Sequence, residues 1–307
     1  MEKLKLLFIT KERSNQLERS SYYLAQELTK QTELFIWKAD GSVHDILSRI
    51  PFRPDFILLN DFHPDYLPKI TGLSSVQIPK GMFMHDLHYK KFHRKRFIES
   101  ENIQLVFTHY RDAFLKWYPE LTSKMVWFPH FIHPEIFKDY GQSKTINYLM
   151  MGANYPNIYP LRNNFMYQLK REPGFIFHPH PGYRAFRSEE KGIYAGRRYA
   201  MEINKAKIFL TCDSIYKYPL LKYFEVLACN TLLIASPSEE LRELGFIDGE
   251  TFIAANQSNV LFKARHYLNY EEERNRIALN GFKMVMKRHT TEVRVKELLL
   301  KIREFIK

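Results

Sequence analysis

The chain has 307 residues, 45% hydrophobic and 15% aromatic, with 46 Lys and Arg against 34 Asp and Glu for a net charge of +12. At roughly 100–200 residues per domain this is material for two packed cores, and no apolar run approaches the ~20 residues that span a bilayer. The two cysteines, Cys212 and Cys229, fit neither a metal-ligand spacing nor a disulfide framework. A cytoplasmic protein with an anionic partner is expected: a nucleotide, a polyanionic polymer, a membrane surface or nucleic acid.

Strand-like and helix-like segments alternate along the chain. "MEKLKLLFIT" has no small-residue cleavage site after its apolar run and reads as a first strand, Leu4–Thr10, rather than a signal peptide. Leu17, Leu24 and Leu28 then share one helical face. Further strands are predicted at Glu33–Trp37, Asp55–Asn60, Gly81–Asp86, Ile103–His109 and Lys124–Pro129. Short uninterrupted apolar strands between helices predict a parallel sheet covered on both faces. The polar stretch "KDYGQSKT", Lys138–Thr145, reads as a linker, after which the pattern restarts. Its strands are predicted at Ile146–Gly152, Gly174–His180, Ala206–Cys212, Thr231–Ser236 and Glu250–Ala255. A closing helix should place Val295, Leu298, Leu299, Ile302, Phe305 and Ile306 on one face. The expected fold class is α/β, with two Rossmann-like doubly wound domains, 1–140 and 146–288, facing a central cleft. The terminal helix, 289–307, should pack back toward the first domain. Such sheets bind ligands at the carboxyl ends of their strands.

The stretch "YPLLKYFEVLACNTLLIASP" carries charge at the mouth of a short helix, Leu220–Cys229, that runs into a buried strand. The unpaired N–H groups and partial positive charge of a helix N-terminus suit a phosphate. Lys222 would add a full charge there, and Glu225 could accept from a pair of ribose hydroxyls. The competing reading is a solvent-facing Lys–Glu pair on an ordinary helix. Asn230 follows the helix and tolerates a left-handed backbone. Gly152, just after the first strand of the second half, allows a ligand to approach closely. Arg162 in "YPLR" could grip a diphosphate with its planar fork. "HPHPGYR" is a stiff loop at a strand end that lacks the companions of a metal site; it reads either as a structural turn or as a loop that brings His180 beside a bound nucleotide or sugar. In "MFMHDLHYKKFHRKRF", Asp86 and His88 would sit at a strand end, where either could act as a base on an acceptor hydroxyl or hold a sugar hydroxyl. Lys90, Lys91, Arg94, Lys95 and Arg96 follow with aromatics between them. This run reads as a solvated helix face, as a collector of an anionic ligand or membrane, or as a base-stacking surface.

From Ile146 to Lys301 the sequence resembles nucleotide-sugar glycosyltransferases of the two-Rossmann-domain GT-B type, nearest the spore-maturation CgeB-like group with a "glycosyl transferases group 1" C-terminal domain. The resemblance rests on "AKIFLTC", "KYFEVLACNTLLIAS", "ELGFIDGETFIAA" and "YLNYEEERNRIALNGFKMVMKRHT", in that order. It implies a hexosyltransferase-type enzyme that moves a sugar from a nucleotide-diphosphate donor, a UDP-sugar expected, to an acceptor hydroxyl on a cell-surface or spore-surface glycan or glycoconjugate. It implies no metal and no other cofactor. Glu225 would contact the ribose, and Arg162 and Lys222 would stabilise the departing diphosphate. Related retaining enzymes carry a second Glu eight positions before the first; here that slot is Lys217, which could bind phosphate instead. Retention is favoured over inversion. The expected location is cytoplasmic, peripheral to a membrane or spore-associated. The rival readings are a non-catalytic spore-coat or scaffold protein on the same fold and, last, a basic nucleic-acid-binding protein.

Overall fold

The computed structural model describes residues 3–186 and 190–307. The chain divides into two compact units. One takes the residues up to Pro129 together with Thr291–Lys307; the other is His130–Thr290.

In the first unit the elements run β1 (Lys5–Ile9), α1 (Ser20–Gln31), β2 (Glu33–Trp37), β3 (Gly41–Ser42), α2 (Val43–Arg49), β4 (Phe56–Leu59), β5 (Ile70–Thr71), β6 (Lys80–Met84), α3 (Lys91–Ser100), β7 (Leu105–Thr108), α4 (Arg111–Trp117) and β8 (Met125–Trp127). Six of these strands form one parallel sheet in the order β2-β1-β4-β6-β7-β8. Its central strands are apolar and buried along their length, as "FILL" in β4 shows, because helices cover both faces. β3 and β5 pair as a separate two-residue ribbon; elements that short leave no periodicity to read. α1 begins at Ser20, with Leu24 and Leu28 buried, while Leu17 lies in the turn before it.

The second unit holds β9 (Ile146–Gly152), α5 (Pro160–Leu169), β10 (Phe175–Pro179), α6 (Arg197–Asn204), β11 (Ala206–Leu210), α7 (Leu221–Ala228), β12 (Leu232–Ala235), α8 (Glu239–Glu243), β13 (Ile253–Ala254), α9 (Val260–Asn269) and α10 (Glu271–Arg288). Its sheet is parallel, in the order β10-β9-β11-β12-β13. Tyr148, Met150, Phe165, Ile208, Leu210, Ile234 and Ile277 belong to its core. The segment Lys138–Thr145 is fastened to this unit. The Asn204 side chain accepts from Tyr140 N (2.8 Å) and donates to Lys138 O (3.0 Å), and Lys144 Nζ donates to Asn230 O and Thr231 Oγ1 (2.9 and 2.8 Å). Asn230 is left-handed (φ 49°) just past α7.

The closing helix, α11 (Thr291–Ile306), belongs to the first unit and packs against α1. It buries Val295, Leu298, Leu299 and Ile302. Phe305 departs from the predicted face: it is 43% exposed in the last turn.

Candidate functional site

In the second unit the chain passes from β9 to β10 on one side and then returns to β11 on the other. The switch between β9 and β11 opens a crevice at their carboxyl ends. Arg162, in the first turn of α5, bridges these two ends. Its Nη1 donates to Ala153 O (2.6 Å), and its Nη2 donates to Thr211 Oγ1 and Cys212 O (3.2 and 2.9 Å). The side chain is 3% exposed, with its guanidinium 4.0 Å from the Tyr159 ring centre. Both Nη atoms are thus engaged by the protein's own acceptors, while the buried Nε has no partner among the described residues, and the guanidinium sits as a positioned charge at the crevice.

Lys222 is the second residue of α7. Its ammonium donates to Met151 O across Gly152. Gly152 has φ 115°, a left-handed backbone, and a Cβ built there would collide with Lys222 Nζ and lie 3.9 Å from Arg162 Nη1. The backbone conformation is what requires glycine here; the end of the Lys222 side chain then lies in the space a Cβ would take. Burial, then the neighbouring Arg162 charge, pulls the Lys222 pKa down to about 7 against the opposing pull of Glu225 and Cys212. Glu225, half-buried, sits on the same face of α7, three residues on. It faces Tyr199, whose phenol is raised well above its ordinary pKa by burial first and by Glu225 next. His180 follows β10, and its Nδ1 accepts from Gly182 N (3.0 Å). Burial, then Lys222 and Arg162, lowers its pKa. The structure thus brings Gly152, Arg162, His180, Lys222 and Glu225 together at one sheet edge. Lys222 and His180, both disfavoured as cations by burial and by the Arg162 charge, gain most from an anion among them.

Lys217 stands apart, in the loop between β11 and α7, left-handed at φ 60°. Its side chain is 76% exposed and pairs with Asp213 Oδ2 at 3.3 Å. Asp213 is buried, and its Oδ1 accepts from Ser236 Oγ (2.8 Å). Sequence reading passed over Asp213, although "TCDS" puts a carboxylate directly after a strand. Among the described residues no group of three or more His, Cys, Asp or Glu is placed to hold a metal ion.

In the first unit Asp86 is exposed and His88 half-buried in the turn between β6 and α3. The His88 pKa is lowered by burial, against the raising effect of Asp86. Their neighbour His85, which the sequence reading missed, is held by Asp61 and Asn60. Arg94, read as one of a solvated basic run, is 1% exposed and pairs with Asp61 Oδ2 at 3.1 Å. Asp61 also accepts from the backbone N–H of Phe62 (2.6 Å), His63 (3.2 Å) and His85 (2.8 Å). Arg94 Nη2 donates to Asp86 O (3.2 Å), so the pair pins the backbone on both sides of His85. Asn60 fixes the ring. Its Nδ2 donates to Thr10 Oγ1 (2.8 Å), and its Oδ1 accepts from Ser21 Oγ (3.2 Å) and faces His85 Nε2 at 2.9 Å. An amide oxygen only accepts, so His85 carries its proton on Nε2. Among the described residues nothing donates to its Nδ1. Burial lowers the His85 pKa, favouring the neutral ring.

Residues 162–300 match the family profile described as "Glycosyl transferase-like". The chain also aligns over nearly its whole length with solved structures of low identity. A glycosyltransferase from Rickettsia africae gives a TM-score of 0.66 at 11% identity, covering 100% of both chains. An alpha,alpha-trehalose-phosphate synthase (UDP-forming) from Burkholderia vietnamiensis gives 0.66 at 12%, covering 100% of this chain and 99% of that one. Anabaena HepE, solved with UDP and glucose, gives 0.62 at 10%, covering 98% and 100%. The fold is that of GT-B glycosyltransferases. No curated protein matches the chain. Among the described residues no helix of this GT-B chain is long and apolar enough to cross a membrane.

Proposed function

We propose that the chain is a glycosyltransferase that binds a nucleotide-diphosphate sugar at the carboxyl end of the β9–β11 sheet and passes the sugar to an acceptor hydroxyl. The observation that carries the reading is the meeting of Lys222, Arg162 and Gly152 at the switch point, with Glu225 one turn along. Lys222 holds the diphosphate, Arg162 adds a fixed charge, Glu225 accepts from the ribose hydroxyls, and His180 lies at the donor. Lys217 would have to leave Asp213 to reach the outer phosphate. Uridine is the expected base, since similar structures contain UDP or form it. As the bond from the anomeric carbon to the diphosphate breaks, negative charge grows on the leaving oxygen, and the cations already in place stabilise it.

His85 joins Asp86 and His88 on the acceptor side, a neutral ring with Nδ1 available to a sugar or acceptor hydroxyl. A hexose as the transferred sugar, retention of configuration, a surface glycan as acceptor and CgeB-like kinship belong to the same proposal. Anomeric NMR of the product decides the stereochemistry. Lys217 in a slot where relatives carry Glu favours one alternative, a scaffold that binds the nucleotide without consuming the donor.

Glu225→Ala is the direct test. It should leave the fold and melting point near wild type and weaken UDP at least about tenfold by calorimetry, the loss of a charged hydrogen-bond acceptor. Unchanged affinity in the folded variant overturns the assignment.

A further inference from the structure

The basic run that opens α3 splits into two sets. Arg94 turns inward to Asp61, and Lys95 is held by Glu120 and lies over the Tyr118 ring. Lys90, Lys91, Phe92 and Arg96 stay exposed. Phe92 is 71% exposed, and Arg96 lies one turn beyond it on the face pointing away from buried Arg94 and Ile98. Lys91 Nζ sits 5.1 Å from the Trp117 ring centre, which sets the end of α4 beside the start of α3. There Leu115 and Lys116 are also exposed. Arg96 and Lys116 make no ion pair among the described residues. Of the nearby carboxylates, Asp112 is engaged by Arg111 (2.9 Å) and Glu120 by Lys95, while Glu99 is exposed on the same helix.

We propose that this α3–α4 face is a docking surface for an anionic lipid bilayer. An exposed ring among unneutralised cations fits the interface of such a bilayer. The ring enters below the headgroups, and the cations meet the lipid phosphates. The arrangement suits nucleic acid poorly. Stacking along a strand needs several open rings, but Lys91 lies over Trp117 and Lys90 over Tyr89, and exposed Phe92 and His93 meet edge-on at 5.9 Å rather than as parallel platforms. The proposal reaches beyond the nucleotide-sugar reading and stands without it. If that reading also holds, the loop carrying His85 runs directly into α3, and the acceptor is one presented at a membrane surface.

The test is flotation of the full-length protein with vesicles of phosphatidylcholine alone and with about 30% phosphatidylglycerol, at low and high salt. Wild type should float with the anionic vesicles only, less so at high salt. Phe92→Ser and the double variant Arg96→Glu, Lys116→Glu should each lose binding about tenfold or more while keeping the wild-type melting point and UDP affinity. A charge reversal of equal size on α10, at Lys283 and Lys287, should not. Equal binding to both vesicle types overturns the proposal. So does equal loss from the α10 variant, or competition by single-stranded RNA over vesicles. UDP binding with no flotation sinks the membrane surface alone; flotation with no UDP binding sinks the glycosyltransferase reading alone.

Discussion

Lys222 ties the chemistry of the site to pH. Its pKa in the folded chain is about 7, below its ordinary 10.5. Between these values the unfolded chain binds the proton and the folded chain does not, so this group's contribution to stability rises with pH across that window. Below about 7 the folded protein carries a charge it disfavours. A bound diphosphate reverses the preference and draws the proton back. UDP binding at pH 8 should therefore take up close to one proton, seen by calorimetry in buffers of different ionisation enthalpy, and affinity should fall as pH rises from about 6 to 8.5. Lys222→Met should abolish the uptake and be no less stable than wild type at pH 6. Proton uptake that persists in this variant would assign the titration elsewhere. Gly152→Ala is the companion change. A Cβ there meets the Lys222 ammonium on a left-handed backbone, so the variant should lose about 1–3 kcal/mol of stability and most UDP affinity.

At the scale of elements, two contacts hold the site-bearing segments in place. α10 crosses α7 at Gly281, where an added Cβ would run into Thr251 O and come within 2.8 Å of Leu227 Cδ2. Gly281→Ala should push α10 off α7 at a cost of about 1–3 kcal/mol. It should weaken UDP as well, because α7 carries Lys222 and Glu225. In the other unit the Asp61–Arg94 pair locks the strand end that presents His85. Burial alone would raise the Asp61 pKa, but Arg94 and the backbone N–H groups of His85 and Phe62 oppose it, and the net shift is downward. That stability is present above the ordinary carboxylate pKa and fades as pH falls through the depressed folded value. Arg94→Met leaves the carboxylate buried without its partner and should cost about 3–5 kcal/mol in denaturant unfolding. A loss below about 1 kcal/mol would mean that the backbone donors suffice.

For the whole molecule, the closing helix belongs with the first unit although residues 130–290 intervene. Leu298 is 1% exposed on its buried face. Leu298→Ala should cost about 2–5 kcal/mol and lower the calorimetric transition of the first unit. UDP at about 100 times its dissociation constant should raise that of the second by the equivalent of roughly 2.7 kcal/mol. If UDP moves the transition that Leu298→Ala moves, the donor site is not where the geometry of the second unit points.

The sequence by itself determined the two parallel sheets, because their central strands are continuous apolar runs and burial on both faces leaves a one-dimensional signature. It also brought Gly152, Lys222 and Glu225 into view, since each stands where a strand ends or a helix begins. Only the tertiary structure decided what the charged groups do. Arg94 and Lys95 are adjacent in one basic run, yet one is buried against Asp61, 33 positions away, while the other meets Glu120 on the surface. Arg162 reads in the sequence as a cation in a turn, and the fold fixes it between two strand ends. His85 was hidden between more conspicuous neighbours, and its tautomer is set by Asn60 across the sheet. A hydrophobic pattern is periodic and local, so it can be read along the chain. A charge takes its role from whichever partner the fold delivers, and that partner is distant in sequence.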